Sequence, residues 1–260
     1  MGYFVGLGPR PLSLQPEPTS PSVGVSLFAL PVMGRAWIAA WLAYWKWRLT
    51  RKASPPAVQA VGQLYRRLRR ATHFLLTVEQ FGAAVPPSAW GQLATVSLGV
   101  LTRQAASPPW KGRLLYALTQ ARQPQRILEL GTHIGLSTLY LGLAAPTAEL
   151  HSVEASPTLL RYARAHARLL GLRPIFHTGT FAEVLPTLQG PWDLVYVDGD
   201  HRPEALLSYG QALFPQLTEG GWLLCDDVFW SRPLYRAWRA LAARPWRQRA
   251  LIGPFGLLQK

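Results

Sequence analysis

Acidic residues are scarce in this chain, yet several of them stand where predicted strands end. The 260 residues include 13 acids against 27 lysines and arginines, for a formal net charge of +14. Short apolar runs are followed by a set of polar residues: Glu129, Glu154, Gly179-Thr180, Asp198 and Asp226-Asp227. The carboxyl ends of parallel strands meet at one edge of an open α/β sheet, where ligands bind. The spacing therefore predicts one polar site built from strand ends.

Residues 126–141, RILELGTHIGLSTLYL, have the pattern of a strand, a glycine turn and a helix. The apolar run is short enough for a buried parallel strand, and glycines follow at 131 and 135. Such a turn points backbone N–H groups and the positive end of a helix at a ligand above the strand. Glu129 can offer a carboxylate to an amine or hydroxyl. A tight turn in any α/β protein is the plainer interpretation, and His133 replaces the middle glycine of the dinucleotide fingerprint.

The ends of the next two predicted strands have residues that could bind the ribose and the adenine of a nucleoside. Glu154 lies 23 residues after Gly131, at the end of the next predicted strand. A carboxylate there can accept both ribose hydroxyls, which fits NAD or S-adenosylmethionine; a helix-capping acid is the alternative. Thr180 and Phe181 follow the third predicted strand, where the edge and face of an adenine ring would lie.

From residue 126 onward, predicted strands and helices alternate. The predicted parallel strands are residues 126–130, 149–153, 174–178, 193–197 and 222–225. The predicted helices that follow them are residues 136–143, 158–170, 181–188, 203–217 and 233–243. Residues 247–252 and 255–258 predict an antiparallel pair. The predicted fold is α/β: a Rossmann-like, doubly wound sheet of seven mostly parallel strands with an antiparallel C-terminal hairpin, plus N-terminal helices.

Composition divides the chain into three predicted regions. Residues 1–32 are rich in Pro, Gly and Ser and predict a disordered or loosely packed extension, so Met33 is a candidate for the true start. Residues 33–107 predict a helical region, with a helix over 57–71 and one short helix within 82–107. Residues 108–260 predict the ligand-binding domain, which begins with a helix over 111–121.

Residues 23–45 carry a single charge, Arg35, over about the length of a membrane-spanning helix. Three interpretations stay open. The segment is a transmembrane anchor, an interfacial helix that contacts a membrane surface through residues 23–52, or a helix whose aromatic stripe packs on the domain or on a second subunit. The last interpretation would favour a homodimer. The early residues lack a signal-peptide pattern, and Cys225 is the single cysteine, so we predict a cytoplasmic protein with membrane association as the alternative.

From about residue 111 to the end, the chain resembles class I S-adenosylmethionine-dependent methyltransferases. The resemblance is to bacterial O-methyltransferases related to the catechol and caffeoyl-CoA O-methyltransferases. It rests on five segments together with Glu154, and their combination is more specific than any one of them. The segments are WKGRLLYAL, ELGTHIGLST, TGTFAEVLP, DLVYVDGDH and LTEGGWLLCDDVFW.

The resemblance implies a set of cofactor-binding residues. The residues placed around the methionine part of S-adenosylmethionine are Glu129, Gly131, His133, Gly135 and Ser137. Glu154 would hold the ribose, and Thr180 with Phe181 the adenine. Asp198, at the end of the fourth strand, would also border the cofactor.

The resemblance further implies a divalent cation such as Mg²⁺, held by Asp198, Asp226 and Asp227. Three carboxylates suit a hard cation, which would bind substrate oxygens and lower the pKa of a hydroxyl. Asp227 replaces the Asn of that group, and His201 replaces the Lys found three residues after the strand-4 Asp. His201 is therefore a candidate general base beside Asp198, a metal ligand, or a structural donor.

These observations favour an S-adenosylmethionine-dependent methyltransferase that methylates an oxygen of a small molecule. The charge favours a nucleic-acid methyltransferase as an alternative, since only Glu17 and Glu79 among the acids precede residue 129. The sequence nevertheless contains no N/D-P-P-Y motif for base amines. A membrane-associated protein with a degenerate methyltransferase domain is the other alternative. Trp110 and Trp230 are candidates for contact with the acceptor.

Overall fold

The computed structural model describes Trp45 and residues 54–82 and 85–260. The predictions for residues 1–32, for Met33 as the start and for the segment 23–52 lie outside these residues, Trp45 excepted. The helices are α1 (Pro56–Leu68), α2 (Leu98–Ala105), α3 (Pro109–Arg122), α4 (Leu136–Ala144), α5 (Pro157–Leu169), α6 (Phe181–Val184), α7 (Pro203–Leu213) and α8 (Arg232–Ala242). The strands are β1 (Leu75–Glu79), β2 (Leu93–Ser97), β3 (Arg126–Leu130), β4 (Glu149–Glu154), β5 (Ile175–Thr178), β6 (Trp192–Val197), β7 (Leu217–Cys225), β8 (Gln248–Ile252) and β9 (Phe255–Gln259). None of these described helices is long and apolar enough to cross a lipid bilayer.

Seven strands form one sheet in the order β5-β4-β3-β6-β7-β9-β8. The first five are parallel, β9 runs antiparallel to β7, and β8 runs antiparallel to β9. The chain moves outward in one direction from β3 through β4 and β5, then returns to place β6 on the other side of β3. The carboxyl ends of β3 and β6 therefore form the topological switch point, where ligands bind in such sheets. The predicted fold class is confirmed.

Both faces of the sheet are buried, which explains why the residues of its central strands are mostly apolar. Leu128 and Leu130 of β3 face a core shared with α7 and α8. Ile127, which precedes Leu128, faces the opposite core, which is shared with α3 and α4. Burial on both faces fixes the strand register, because a shift by one residue would exchange the two sets of side chains.

Two boundaries beside β7 differ from the prediction. Helix α7 ends at Leu213 and not at residue 217, since Pro215 has no N–H with which to continue the helical ladder, and Leu217 already pairs with Trp192. The glycines predicted to form a turn lie inside β7 instead. There the register between β6 and β7 shifts, and Gly220 has a φ of 72°. The segment is thus an irregularity within one strand.

The N-terminal region contains a β-hairpin that the sequence did not predict. Strands β1 and β2 pair antiparallel, with Thr77 opposite Thr95, between α1 and α2. The strands have five residues each, and their alternation is too short to distinguish from a helical pattern. The short helix expected within residues 82–107 is α2, but β2 precedes it. The boundaries at residues 32 and 107 remain predictions.

The free end of this hairpin has contacts on both sides of β3. On one side, the Glu79 carboxylate accepts hydrogen bonds from Ser156 Oγ (2.5 Å) and Thr158 Oγ1 (3.1 Å) at the start of α5, which follows β4. On the other side, the Arg202 guanidinium lies 5.0 Å from the centre of the Trp90 ring, after β6. Because β3 lies between β4 and β6 in the sheet, the loop that follows β3 lies between these two contacts.

Candidate active site

The turn after β3 has three residues in the left-handed region: Gly131 (φ 105°), His133 (φ 51°) and Gly135 (φ 86°). A Cβ on Gly131 would lie 2.0 Å from the carbonyl oxygen of Asp198, and one on Gly135 would lie 2.9 Å from Ala163. Both glycines are therefore required by the packing of the protein's own backbone.

Glu129 is fully buried beneath this turn. Its Oε2 atom accepts hydrogen bonds from Thr138 Oγ1 and Ser152 Oγ, both at 2.5 Å. Its Oε1 atom is buried with no hydrogen-bond partner among the described residues. Burial raises the pKa of Glu129, and the hydroxyls of Ser152, Thr138 and Ser137 oppose that shift. A buried carboxylate oxygen without a donor suits an ammonium or hydroxyl of a ligand.

Glu154 is hydrogen-bonded to the same turn. Its Oε2 atom accepts a hydrogen bond from the backbone N–H of His133 (2.8 Å), and its Oε1 atom accepts one from the N–H of Ser156 (2.9 Å). Burial raises the pKa of Glu154, and these backbone donors oppose the shift. Each carboxylate oxygen has a second lone pair, so the side chain can still accept ribose hydroxyls.

Thr180 has a structural task that the sequence did not predict. Its hydroxyl and the Glu183 carboxylate form a reciprocal cap at the start of α6. Phe181 is half-buried and meets the Tyr209 ring edge-on, with ring centres 5.5 Å apart. A Cβ on Gly199 would lie 2.9 Å from the Phe181 ring. Adenine contact by Thr180 and Phe181 remains a prediction.

The ends of β6 and β7 bring the predicted acids together. The Tyr196 hydroxyl lies 2.6 Å from Asp226 Oδ2 and 2.9 Å from Asp198 Oδ2. A phenol has one hydrogen, so it donates to only one of these carboxyl groups at a time. Burial and the adjacent Asp198 raise the pKa of Asp226 to about 7, which lets this pair of acids hold a proton near neutral pH.

Lys111 completes the cluster, and the sequence reasoning missed it. Its ammonium lies 2.7 Å from Asp226 Oδ2 and 3.4 Å from Asp227 Oδ2. Although burial lowers the pKa of Lys111, the three nearby aspartates raise it above its usual range. The available signal was a lysine in the first turn of α3 with no acid beside it, where the helix dipole disfavours a cation.

A glycine explains how α3 reaches this cluster. A Cβ on Gly112 would lie 1.9 Å from the ring of Tyr140 in α4. Glycine thus allows α3 and α4 to approach closely, and the adjacent Lys111 lies over the strand ends as a result.

His201 lies on the open side of the acids. Its Nε2 atom is 4.0 Å from Asp198 Oδ1, and its ring stacks on Trp230 with ring centres 5.7 Å apart. Burial lowers the pKa of His201, while Asp227 and Asp226 oppose the shift, so the imidazole is neutral near pH 7. Ligand atoms of Asp198, His201 and Asp227 lie within 4.8 Å of one another, which makes this trio the candidate cation site of the described residues. Asp226 is not part of it.

Exposed aromatic side chains border this open side. Trp230, stacked on His201, is 58% exposed, and Phe229 beside it is 54% exposed. Trp110, next to Lys111 in sequence, is 48% exposed. Large exposed rings close to a polar site are typical of ligand contact.

We expect His133 to make the protein sensitive to acid. Both ring nitrogens are buried without a partner among the described residues, and burial lowers the pKa of His133 from its ordinary value of 6.5 to about 4. Below pH 6.5 the His133 imidazole therefore binds a proton in the unfolded chain but stays neutral in the folded chain. The stability of the fold consequently decreases as the pH falls from 6.5 toward 4. Thermal unfolding should show that the protein is less stable at about pH 5 than at about pH 7.5. This loss of stability should be smaller in His133→Asn than in the wild type, by at most about 2 kcal/mol.

Asparagine suits this test because it tolerates a left-handed backbone and does not titrate. The exposed His73→Asn variant is the matched control and should lose as much stability as the wild type. An equal loss of stability in His133→Asn and wild type would show that the buried imidazole does not govern the acid response.

The fold and the position of the strand-end site are similar to those of methyltransferase domains. Residues 128–228 match a family model described as a methyltransferase domain. A solved SAH-bound methyltransferase from Podospora anserina has a TM-score of 0.58 at 20% identity, covering 89% of this chain and 97% of that one. The resemblance to class I S-adenosylmethionine-dependent methyltransferases is confirmed for this region.

Two curated relatives narrow the similarity to O-methyltransferases. An O-methyltransferase of Aspergillus hancockii is 34% identical over 136 residues, which are 50% of this chain and 53% of the relative. A catechol O-methyltransferase of Mycobacterium tuberculosis is 32% identical over 146 residues, which are 55% of this chain and 65% of the relative. The matches thus span between about half and two thirds of each relative's length.

Proposed function

We propose that this protein transfers a methyl group from S-adenosylmethionine to a hydroxyl oxygen of a small molecule. The observation that carries the proposal is the convergence, at one sheet edge, of a cofactor half (Glu129 and Glu154) and a proton-accepting half (His201 and Asp198). When bound, S-adenosylmethionine supplies a methyl group on a positively charged sulfur and leaves as S-adenosylhomocysteine (SAH).

The cofactor half suits the parts of S-adenosylmethionine in turn. Glu129 Oε1, buried and without a donor among the described residues, would accept the ammonium of the methionine part. Glu154 would accept the ribose hydroxyls with its remaining lone pairs, and Phe181 would contact the adenine. The surrounding residues are those expected from the sequence: Gly131, His133, Gly135, Ser137, Thr180 and Asp198.

The other half would prepare the acceptor. His201, held neutral by burial, would take the hydroxyl proton on Nε2, and the acceptor oxygen would then form its bond to the methyl carbon. Asp198, 4.0 Å from that nitrogen, would stabilise the resulting imidazolium. The exposed rings of Trp110, Phe229 and Trp230 favour a hydroxylated aromatic acceptor, since aromatic faces bind such rings by stacking.

Two variants separate cofactor binding from proton transfer. In calorimetric titrations with SAH, we expect Glu154→Gln to weaken binding by about 30- to 150-fold, the value of losing charge-assisted hydrogen bonds. With a labelled methyl donor and a panel of hydroxylated aromatics, we expect His201→Gln to lower methyl transfer by about 10²- to 10⁴-fold while SAH affinity changes little.

Glu149→Gln is the matched control, because Glu149 lies at the opposite end of the same strand as Glu154. It should bind SAH as the wild type does. The proposal fails if the wild type binds neither SAH nor S-adenosylmethionine, or if Glu154→Gln and Glu149→Gln have equal affinities. Methyl transfer that survives His201→Gln would reject the role given to the imidazole.

A further inference from the structure

A lysine side chain lies where the resemblance places a divalent cation. The Lys111 ammonium contacts Asp226 (2.7 Å) and Asp227 (3.4 Å), and 9% of its side chain is exposed. These are two of the three carboxylates expected to ligate a metal. A buried positive charge thus already neutralises part of the cluster.

The hydrogen bonds of Asp226 leave little room for a metal. Its Oδ2 atom lies within hydrogen-bond distance of both Lys111 Nζ (2.7 Å) and the Tyr196 hydroxyl (2.6 Å). Its Oδ1 atom accepts the backbone N–H of Asp227 (2.7 Å). A carboxylate oxygen has two lone pairs, so Oδ2 has none left for a cation when the phenol donates to it, which is the shorter of the two phenol contacts.

A divalent cation in the Asp198–His201–Asp227 trio would also be repelled. Asp227 belongs to the trio and lies 3.4 Å from the ammonium, so a cation bound to that carboxylate would be a close neighbour of Lys111. The two positive charges would share one carboxylate, and like charges this close repel each other. The donor set around Asp226 and Asp227 therefore does not fit the expected metal.

We propose that Lys111 serves as the built-in cation of this site and takes the place of a divalent metal. Its ammonium holds Asp226 and Asp227, and thereby leaves Asp198 and His201 to meet the acceptor. Lys111 is a positioning residue that acts through these carboxylates. Its role in methyl transfer rests on the proposed function, whereas its role in excluding metal does not.

The test is a titration with Mn²⁺, followed by the paramagnetic resonance of the free ion. We expect the wild type and Lys111→Arg, which keeps the charge, to show no saturable binding at this cluster. Lys111→Met should bind Mn²⁺ at least about tenfold more tightly, because the acids have lost their counter-charge. Adding Asp198→Asn to Lys111→Met should abolish the gain. Methyl transfer by the wild type should be unchanged by a chelator.

Stoichiometric Mn²⁺ binding by the wild type that is lost in Asp198→Asn would overturn the proposal, as would inhibition of the wild type by a chelator. Both results are read on the wild type, so the test stands even where Lys111→Met does not fold. SAH binding, measured in the same samples, reports separately on the proposed function. A wild type that binds neither SAH nor Mn²⁺ would contradict that function and leave the exclusion of metal supported.

Discussion

Replacing Gly131 by alanine is expected to destabilise the fold by about 3–5 kcal/mol and to abolish SAH binding. The glycine has a φ of 105°, and a Cβ would lie 2.0 Å from the Asp198 carbonyl oxygen and 2.7 Å from its carbon. These are backbone atoms that cannot rotate away. The N–H of Asp198 donates to the carbonyl of Leu130 (2.8 Å), so relief would require the ends of β3 and β6 to separate.

Gly171→Ala is the matched control for this prediction. Gly171 also has a positive φ, 68°, but a Cβ there would meet nothing within 4 Å. It should cost only about 1 kcal/mol, the price of the left-handed conformation alone. Denaturant unfolding measures both variants. Equal losses of stability would show that the collision with Asp198 is relieved cheaply.

Replacing Asp226 by alanine is expected to cost about 3–5 kcal/mol, because it strands a buried ammonium. Asp226 has no exposed side-chain surface, and it accepts the Lys111 ammonium and the Tyr196 hydroxyl on one oxygen. Its removal leaves the ammonium with only the 3.4 Å contact to Asp227, while the phenol keeps Asp198 as its acceptor. Asp227→Ala should cost about 1 kcal/mol or less, because the Asp227 side chain is 32% exposed and its contact with Lys111 is longer, at 3.4 Å.

A double-mutant cycle isolates the pair. Lys111→Met combined with Asp226→Ala should be more stable than the sum of the single losses predicts, since neither charge then remains unpaired. Thermal and denaturant unfolding of the four proteins give the coupling. Additive losses, or a fully stable Asp226→Ala, would show that the ion pair does not hold the cluster together.

The local sequence pattern predicted the bounds of a strand correctly where both faces of the strand are buried. The observed β3, Arg126–Leu130, has the predicted bounds, because three of its five residues are apolar, both of its faces are buried and a glycine follows it directly. The pattern failed in β1 and β2, which are half-exposed and too short to show a period. It failed again at Gly220, which lies in an irregular part of β7 and not in a turn before the strand.

The same division applies to the candidate site. Asp198, Asp226 and Asp227 were found because strand ends share one edge of the sheet. Lys111 was missed because its place depends on how closely α3 packs against Tyr140, a distance that no local pattern encodes. Thr180 remains a predicted adenine contact, and its hydroxyl also caps α6. A strand-end rule locates polar residues but does not say which of them the fold has already engaged.

The N-terminal hairpin bears on whether the methyltransferase domain is autonomous. A fragment starting at residue 108 would keep the whole seven-stranded sheet and every predicted site residue. It would nevertheless uncover Ile134, Leu139 and Tyr140, which share a core with Val58, Val61 and Leu76. It would also remove Glu79 from the start of α5. We therefore expect residues 108–260 to depend on the region before them for stability, and the family match over residues 128–228 covers only part of a larger cooperative unit.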